Sequence, residues 1–164
     1  MLTLLCCRGS WALVMESKSA AFIANKGAVS KPFEYGTCLA WFYDSFYERL
    51  FSVYPACIPL FKGDLQVQGK ALVQMISVCI ENLTVSDTLV STLKRLAKTH
   101  ATRGVVVNEY FIVGEVLIWT FDKCLGSQFD DDTRIAWLKI YSIMLFTIVP
   151  AAVEEENKIT KSNE

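Results

Sequence analysis

Apolar residues recur along this chain at spacings of three and four, in blocks divided by short polar or glycine- and proline-bearing segments. That is the pattern of helices packed on one another, and no convincing strand is visible. The spacing predicts a first amphipathic helix over residues 11–24, opened by Ser10 as a cap. Residues 25–38, NKGAVSKPFEYGTC, read as an irregular connector. An aromatic-rich helix over 39–54 follows. Pro55 starts the next turn, and a short turn runs through Phe61, Lys62 and Gly63. Residues 65–83 form a long helix with the stripe Leu65, Leu72, Met75, Ile76, Cys79 and Leu83. A helix capped by Ser86 or Asp87 ends at His100. Another spans 108–124, with Tyr110, Val113, Leu117 and Phe121 on one face. The last begins near Asp130, where the acidic run suits the positive end of a helix dipole, and reaches about Glu154. The expected fold class is therefore all-α, one domain over residues 1–154 with a frayed polar tail over 155–164.

Composition narrows this picture. A chain of 164 residues, 52% hydrophobic, suits one domain with a real core. A net charge of −1 gives no argument for nucleic acid as a partner. Lys94, Arg95 and Lys98 lie on one solvated helix face. The most apolar stretch, Ile140–Val153, contains Pro150 and is too short to cross a bilayer, so no membrane partner is expected. It reads as a central helix, apolar nearly all round because it packs on most sides. The start, MLTLLCCR, is too short an apolar run for a signal peptide. The six cysteines include no CxxC pair. Most fall inside predicted helices as reduced, buried thiols, which points to a reducing, cytoplasmic setting.

The single histidine, His100, is the first candidate for chemistry. Leu89, Leu93, Leu96 and His100 form one helical stripe, with the basic residues on the other side. The imidazole thus lies on the buried face of the last turn, just before Gly104 can end the helix. A neutral imidazole aimed into an apolar interior is a good ligand for iron or zinc. It can equally be a core histidine bonded to a backbone carbonyl. With one histidine, a zinc site of the usual kind lacks a second nitrogen ligand.

Two polar residues break apolar stripes. Gln68 interrupts Leu65, Leu72 and Met75, and Tyr47 lies on the stripe Tyr43, Tyr47, Leu50 and Tyr54. A buried amide or phenol without a partner costs a few kcal/mol. Either the two satisfy each other or a water, or both face a cavity with a polar ligand. With His100 they describe an apolar pocket with a few placed polar groups.

At this point the chain resembles a globin. FYERLFSVYP (Phe46–Pro55) is similar to the family's B helix and its turn into C, and QGKAL (Gln68–Leu72) to the distal segment of helix E. LAKTHATRGV (Leu96–Val105) matches the proximal segment, NEYFIVGEVLIW (Asn108–Trp119) helix G, and AWLKIY (Ala136–Tyr141) helix H. The likeness covers roughly residues 39–150 and most resembles the haem domain of bacterial flavohaemoglobins and their single-domain relatives. An insertion at about 25–40 lies outside it. No GxGxxG occurs, so the expectation is a haem domain without its own reductase.

The resemblance implies haem b with His100 as the iron ligand and Phe61 stacked on the ring. Tyr47 and Gln68 become distal hydrogen-bond donors, and Leu72, Val105 and Val113 pocket walls. A Tyr110–Glu154 network would sit beside the imidazole, although Tyr110 can also be read as a plain core residue. No distal histidine is present, so bis-histidine ligation within one chain is impossible. The implied function is reversible dioxygen binding, for storage, transport or sensing. The alternative is nitric oxide dioxygenation, which needs a separate reductase. A haem-free interaction module is disfavoured because His100, Phe61, Tyr47 and Gln68 are all present.

Overall fold

The computed structural model describes residues 2–25, 37–82 and 87–162. These form α1 (Leu2–Met15), α2 (Ala20–Asn25), α3 (Cys38–Val53), a 3-10 helix (Pro55–Leu60), α4 (Leu65–Glu81), α5 (Asp87–Thr102), α6 (Val107–Leu125), a 3-10 turn (Gly126–Gln128) and α7 (Asp131–Ser162). The all-α expectation holds, with no strand among the described residues. Most of the expected connector, and Ser86 as a cap, lie outside them.

The N-terminal helix departs from the sequence reading. It starts at Leu2, so Ser10 sits inside it rather than at its cap. The Ser10 hydroxyl donates back to the carbonyls of Cys6 and Cys7, at 2.8 and 3.1 Å, and accepts the Trp137 indole N–H at 3.0 Å. The single helix expected over 11–24 is broken. Ser17 takes a left-handed conformation, φ 54°, and ends α1. Ser19 then caps α2 through Phe22 N–H, and its hydroxyl donates to the Cys124 carbonyl. Thr37 caps α3 and Asp64 caps α4.

The core is split in two. The larger part joins α1, α3, α4, α6 and α7 around Trp11, Phe42, Phe46, Phe121 and Trp137. Phe121 and Trp137 stack with ring centroids 3.9 Å apart. The smaller part is built on α5 and α7 from Cys79, Leu89, Leu93, Ala97, Tyr110, Ile148 and Ala152. α4 packs on α3, and α5 packs mainly on α7. α4 reaches the smaller core through Cys79, and α6 reaches it through Tyr110. A slot lined by Phe61 and Val113 on the larger core and by Val105 and Tyr110 on the smaller runs between the two.

All six cysteines are free thiols, five of them buried. Burial pushes the Cys7 thiol up to about 12 and those of Cys38 and Cys79 up to about 11, so all three stay protonated and unreactive. α7 differs from expectation in its span, its end and its burial: among the described residues it is long and apolar enough by length and composition to cross a membrane, where the sequence reading had its apolar stretch too short. It runs on to Ser162, and the polar segment beyond Glu154 stays helical, helped by Lys158 bridging Glu154 and Glu155 at 2.8 and 2.9 Å. It is also not packed on most sides: Ile143 and Phe146 are 50% and 83% exposed.

Candidate functional site

The buried stripe of α5 is Leu89, Leu93, Ala97 and Ala101 rather than Leu89, Leu93, Leu96 and His100. His100 is rotated off the α5–α7 seam and half-buried, so it faces the slot. Gly104 explains how the chain turns there. Its φ of 87° favours a residue without Cβ, and its N–H closes on the Ala101 carbonyl at 3.0 Å. The turn reverses the chain by 113° into α6 and carries Tyr110 back onto the imidazole.

His100 lines a cavity of about 110 Å³ with Leu60, Phe61, Val105, Tyr110 and Val113. The structure thus brings Phe61, Val105 and Val113 to the same cavity as His100. The Tyr110 hydroxyl lies 3.3 Å from His100 Nδ1. With the proton on Nδ1 donated to that oxygen, the Nε2 lone pair is left free. Burial, then the positive charge of Arg103, lowers the His100 pKa from 6.5, so the ring is neutral at pH 7. Tyr110 is pushed up to about 12 by burial and by the carboxylates of Glu156 and Glu109. Its backbone is braced by Tyr141, whose hydroxyl donates to the Tyr110 carbonyl at 2.5 Å.

Glu154 is not part of this group. It faces solvent, with Lys158 as its partner at 2.8 Å. The helical period turns it away, while Glu156 points inward and accepts the Val107 N–H at 2.8 Å. Glu109 accepts the Val106 N–H at 2.9 Å, raises the Tyr54 hydroxyl's pKa through its nearby carboxylate and also lines the cavity. Sequence reasoning missed Glu109, Glu156, Tyr54 and Cys57. The signal for Glu109 was its place in the first turn of a helix, where an acidic side chain reaches back to an orphan N–H.

On the other side, Tyr47 is 6% exposed, with its ring centroid 5.2 Å from Phe46, 5.9 Å from Phe51 and 5.4 Å from Phe61. Burial pushes its hydroxyl up to about 12. Among the described residues it has no hydrogen-bond partner, and no fully enclosed side-chain polar atom lacks one, so this hydroxyl borders open space. Gln68 is half-buried on α4 and its amide nitrogen lies near Gly63. Among the described residues no hydrogen bond joins it to Tyr47. Its interruption of a stripe is explained by the true inner face of α4, which is Gly69, Val73, Ile76, Cys79 and Ile80, with Leu65 exposed. Gly69 sets how close α3 and α4 come, because a Cβ there would lie 2.6 Å from the Tyr43 ring. Leu72 packs half-buried against the larger core.

The donor set fits a metal carried by its own macrocycle. Among the described residues no three of His, Cys, Asp and Glu converge as a metal shell. An ion on His100 Nε2 therefore needs its other ligands from the group that bears it, as a porphyrin provides. A flat group also suits the slot. The cavity is below the usual ligand-pocket range of ~300–1,000 Å³, and its walls come from α3, the 3-10 helix, α5 and α6.

Comparison with known proteins agrees. The Globin family model matches residues 44–148. A flavohemoprotein of Halalkalibacterium halodurans is 29% identical over 102 residues, covering 60% of this chain and 25% of that protein. One of Rhizobium meliloti is 31% identical over 99 residues, covering 58% and 25%. The chain thus matches about a quarter of the length of these relatives. A bacterial globin of Campylobacter jejuni superposes with a TM-score of 0.68 at 20% identity, covering 97% of both chains. An engineered carbene transferase from Rhodothermus marinus, provisionally a nitric oxide dioxygenase, superposes with a TM-score of 0.72 at 17% identity, covering 100% of this chain and 98% of that one. With the family model spanning most of the chain and the helices in the same arrangement, this protein belongs to the globin family and has its all-α fold.

Proposed function

We propose that the chain binds haem b through His100 and uses it to bind dioxygen reversibly. The observation that carries this reading is the lone imidazole, turned out of the α5–α7 seam into a slot between two cores, with Nδ1 held by Tyr110. Haem held by His100 would supply an iron able to take a diatomic ligand. The chain's own residues do the rest. Desolvation keeps His100 neutral and able to ligate. Phe61, Val105, Ile112 and Val113 exclude water from the cavity. Tyr47 and Gln68 do not line the His100 cavity itself; Tyr47 offers a hydroxyl with no competing protein acceptor and is the first candidate donor to a polarised ligand, and Gln68 is the second.

The Tyr110 contact favours nitric oxide dioxygenation as the second reading. A phenol held near two carboxylates makes the imidazole a stronger electron donor. Sustained turnover then requires a source of electrons to reduce the iron after each cycle.

Titration of the purified chain with haem should give one haem per chain and a Soret band. His100→Ala should lose the haem or bind it far more weakly. Full retention with an unchanged ferrous spectrum would refute ligation by His100. Mixing the oxygenated protein with nitric oxide, with and without a reductant, separates the two readings. Nitrate formed only once per haem supports the binding protein, and sustained nitrate production supports the enzyme.

A further inference from the structure

α6 and α7 leave an apolar face uncovered. Two adjoining hollows of about 490 and 370 Å³ run along the groove between them and share Phe111, Ser142 and Leu145. Phe146 at one end is 83% exposed, and Phe111 and Leu138 are 49% and 46% exposed. The most apolar eighteen-residue window of α7 has a mean hydropathy of 1.7, yet only 28% of it is buried. A contiguous patch of this kind marks an interaction surface.

We propose that this face is a homodimer interface, on which a second copy of the chain packs with its α7 antiparallel about a two-fold axis near Ser142. A two-fold interface must be self-complementary, and this face is. Phe146 projects on one side of Ser142. The wider hollow, floored by Gly114 and walled by Ile118 and Leu138, opens on the other. Leu138 and Phe146 each stand four positions from Ser142, so the symmetry operation seats each Phe146 beside the Leu138 of the second copy. Small Ser142 at the axis allows the helices to approach to ~8–10 Å.

Charge selects this occupant. Only Glu115, Asp122 and Arg134 among the groove residues are charged, and Arg134 already pairs with Asp122 at 2.9 Å. A second copy therefore meets no unpaired cluster of its own sign. An anionic lipid surface would meet Asp131 and Asp132 at one end of α7 and Glu154, Glu155 and Glu156 at the other, and be repelled. In the dimer these acidic ends diverge, because packed helices cross at about 50°.

The area is modest. Two helices, each about 10 Å across and open along about 24 Å, offer roughly 500 Å² per copy, or roughly 1,000 Å² in all, near the lower bound for a specific interface. The dimer should accordingly be reversible and in the micromolar range.

Sedimentation velocity on the haem-loaded chain from about 1 to 200 µM tests this, and the mass should rise from one chain toward two. Phe146→Glu should weaken association by about thirtyfold or more with unchanged helical circular dichroism. Val67→Glu, at a site 63% exposed on α4, should leave association unchanged. Ser142→Cys should cross-link to itself under diamide, two thiols giving one disulfide as the diazene is reduced to the hydrazine. A chain that stays monomeric, a dimer indifferent to Phe146→Glu, or a dimer whose Ser142→Cys form does not cross-link would overturn the proposal. So would flotation with phosphatidylcholine vesicles in place of self-association.

Discussion

Replacing Tyr47 by Phe separates the ligand-binding role of this residue from its packing role. The ring sits among Phe46, Phe51 and Phe61 at centroid distances of 5.2, 5.9 and 5.4 Å, and Phe keeps all three contacts. The hydroxyl donates to no protein group among the described residues, so its removal breaks no intramolecular hydrogen bond. Thermal stability should therefore change by no more than about 0.5 kcal/mol, the scale of a substitution that disturbs no named interaction. The bound ligand loses a donor instead. A hydrogen bond to a charged or strongly polarised group contributes about 1.5–3 kcal/mol, and each 1.4 kcal/mol is a factor of ten. The dioxygen dissociation rate should then rise by between about tenfold and about 150-fold. Carbon monoxide carries less charge when bound, and its release should respond less. The assay is stopped-flow displacement of dioxygen by carbon monoxide, beside thermal melts of both proteins. An unchanged dissociation rate would mean that the hydroxyl never reaches the ligand, and Tyr47 would be an ordinary core aromatic. A large loss of stability would show instead that the hydroxyl has a structural partner.

Tyr110→Phe removes the oxygen beside His100 Nδ1, so the iron–histidine stretching frequency in resonance Raman spectra of the ferrous protein should fall; an unchanged frequency would leave Tyr110 a packing residue. Gly69→Val places atoms 2.6 Å from the Tyr43 ring and should destabilise the fold by about 1–3 kcal/mol by urea unfolding, since α3 and α4 must separate. The haem-free protein should lose stability on acidification through His100. Its folded pKa lies below the unfolded 6.5, so its contribution is complete above pH 6.5 and declines as pH falls through the folded value. His100→Ala should flatten that part of the stability–pH curve, and an unaltered curve would contradict the burial of the ring.

Much of this molecule was legible in the sequence because helix periodicity is a local property. The helices over 39–54, 65–83 and 108–124 appear within a residue or two of their predicted bounds. His100, Tyr110, Phe61, Val105 and Val113, named together from the sequence, share one cavity because order and spacing along the chain survive in the fold. Local pattern does not say which neighbour a helix face meets, and each miss has that origin. Ser10 looked like a cap until Trp137, from the far end of the chain, was found bonded to it. The stripe carrying His100 was drawn one position off, since α5 packs against α7 on Ala97 and Ala101 and so turns the imidazole into the slot. Glu154 and Glu156 are alike in sequence, and only the docking of α7 on the start of α6 decides which carboxylate points inward. An apolar run likewise shows that α7 has surface to bury but not whether this chain buries it. Tertiary packing covers one side and leaves Phe146 and its groove open, because burial depends on the partners that folding brings up, not on the residues alone.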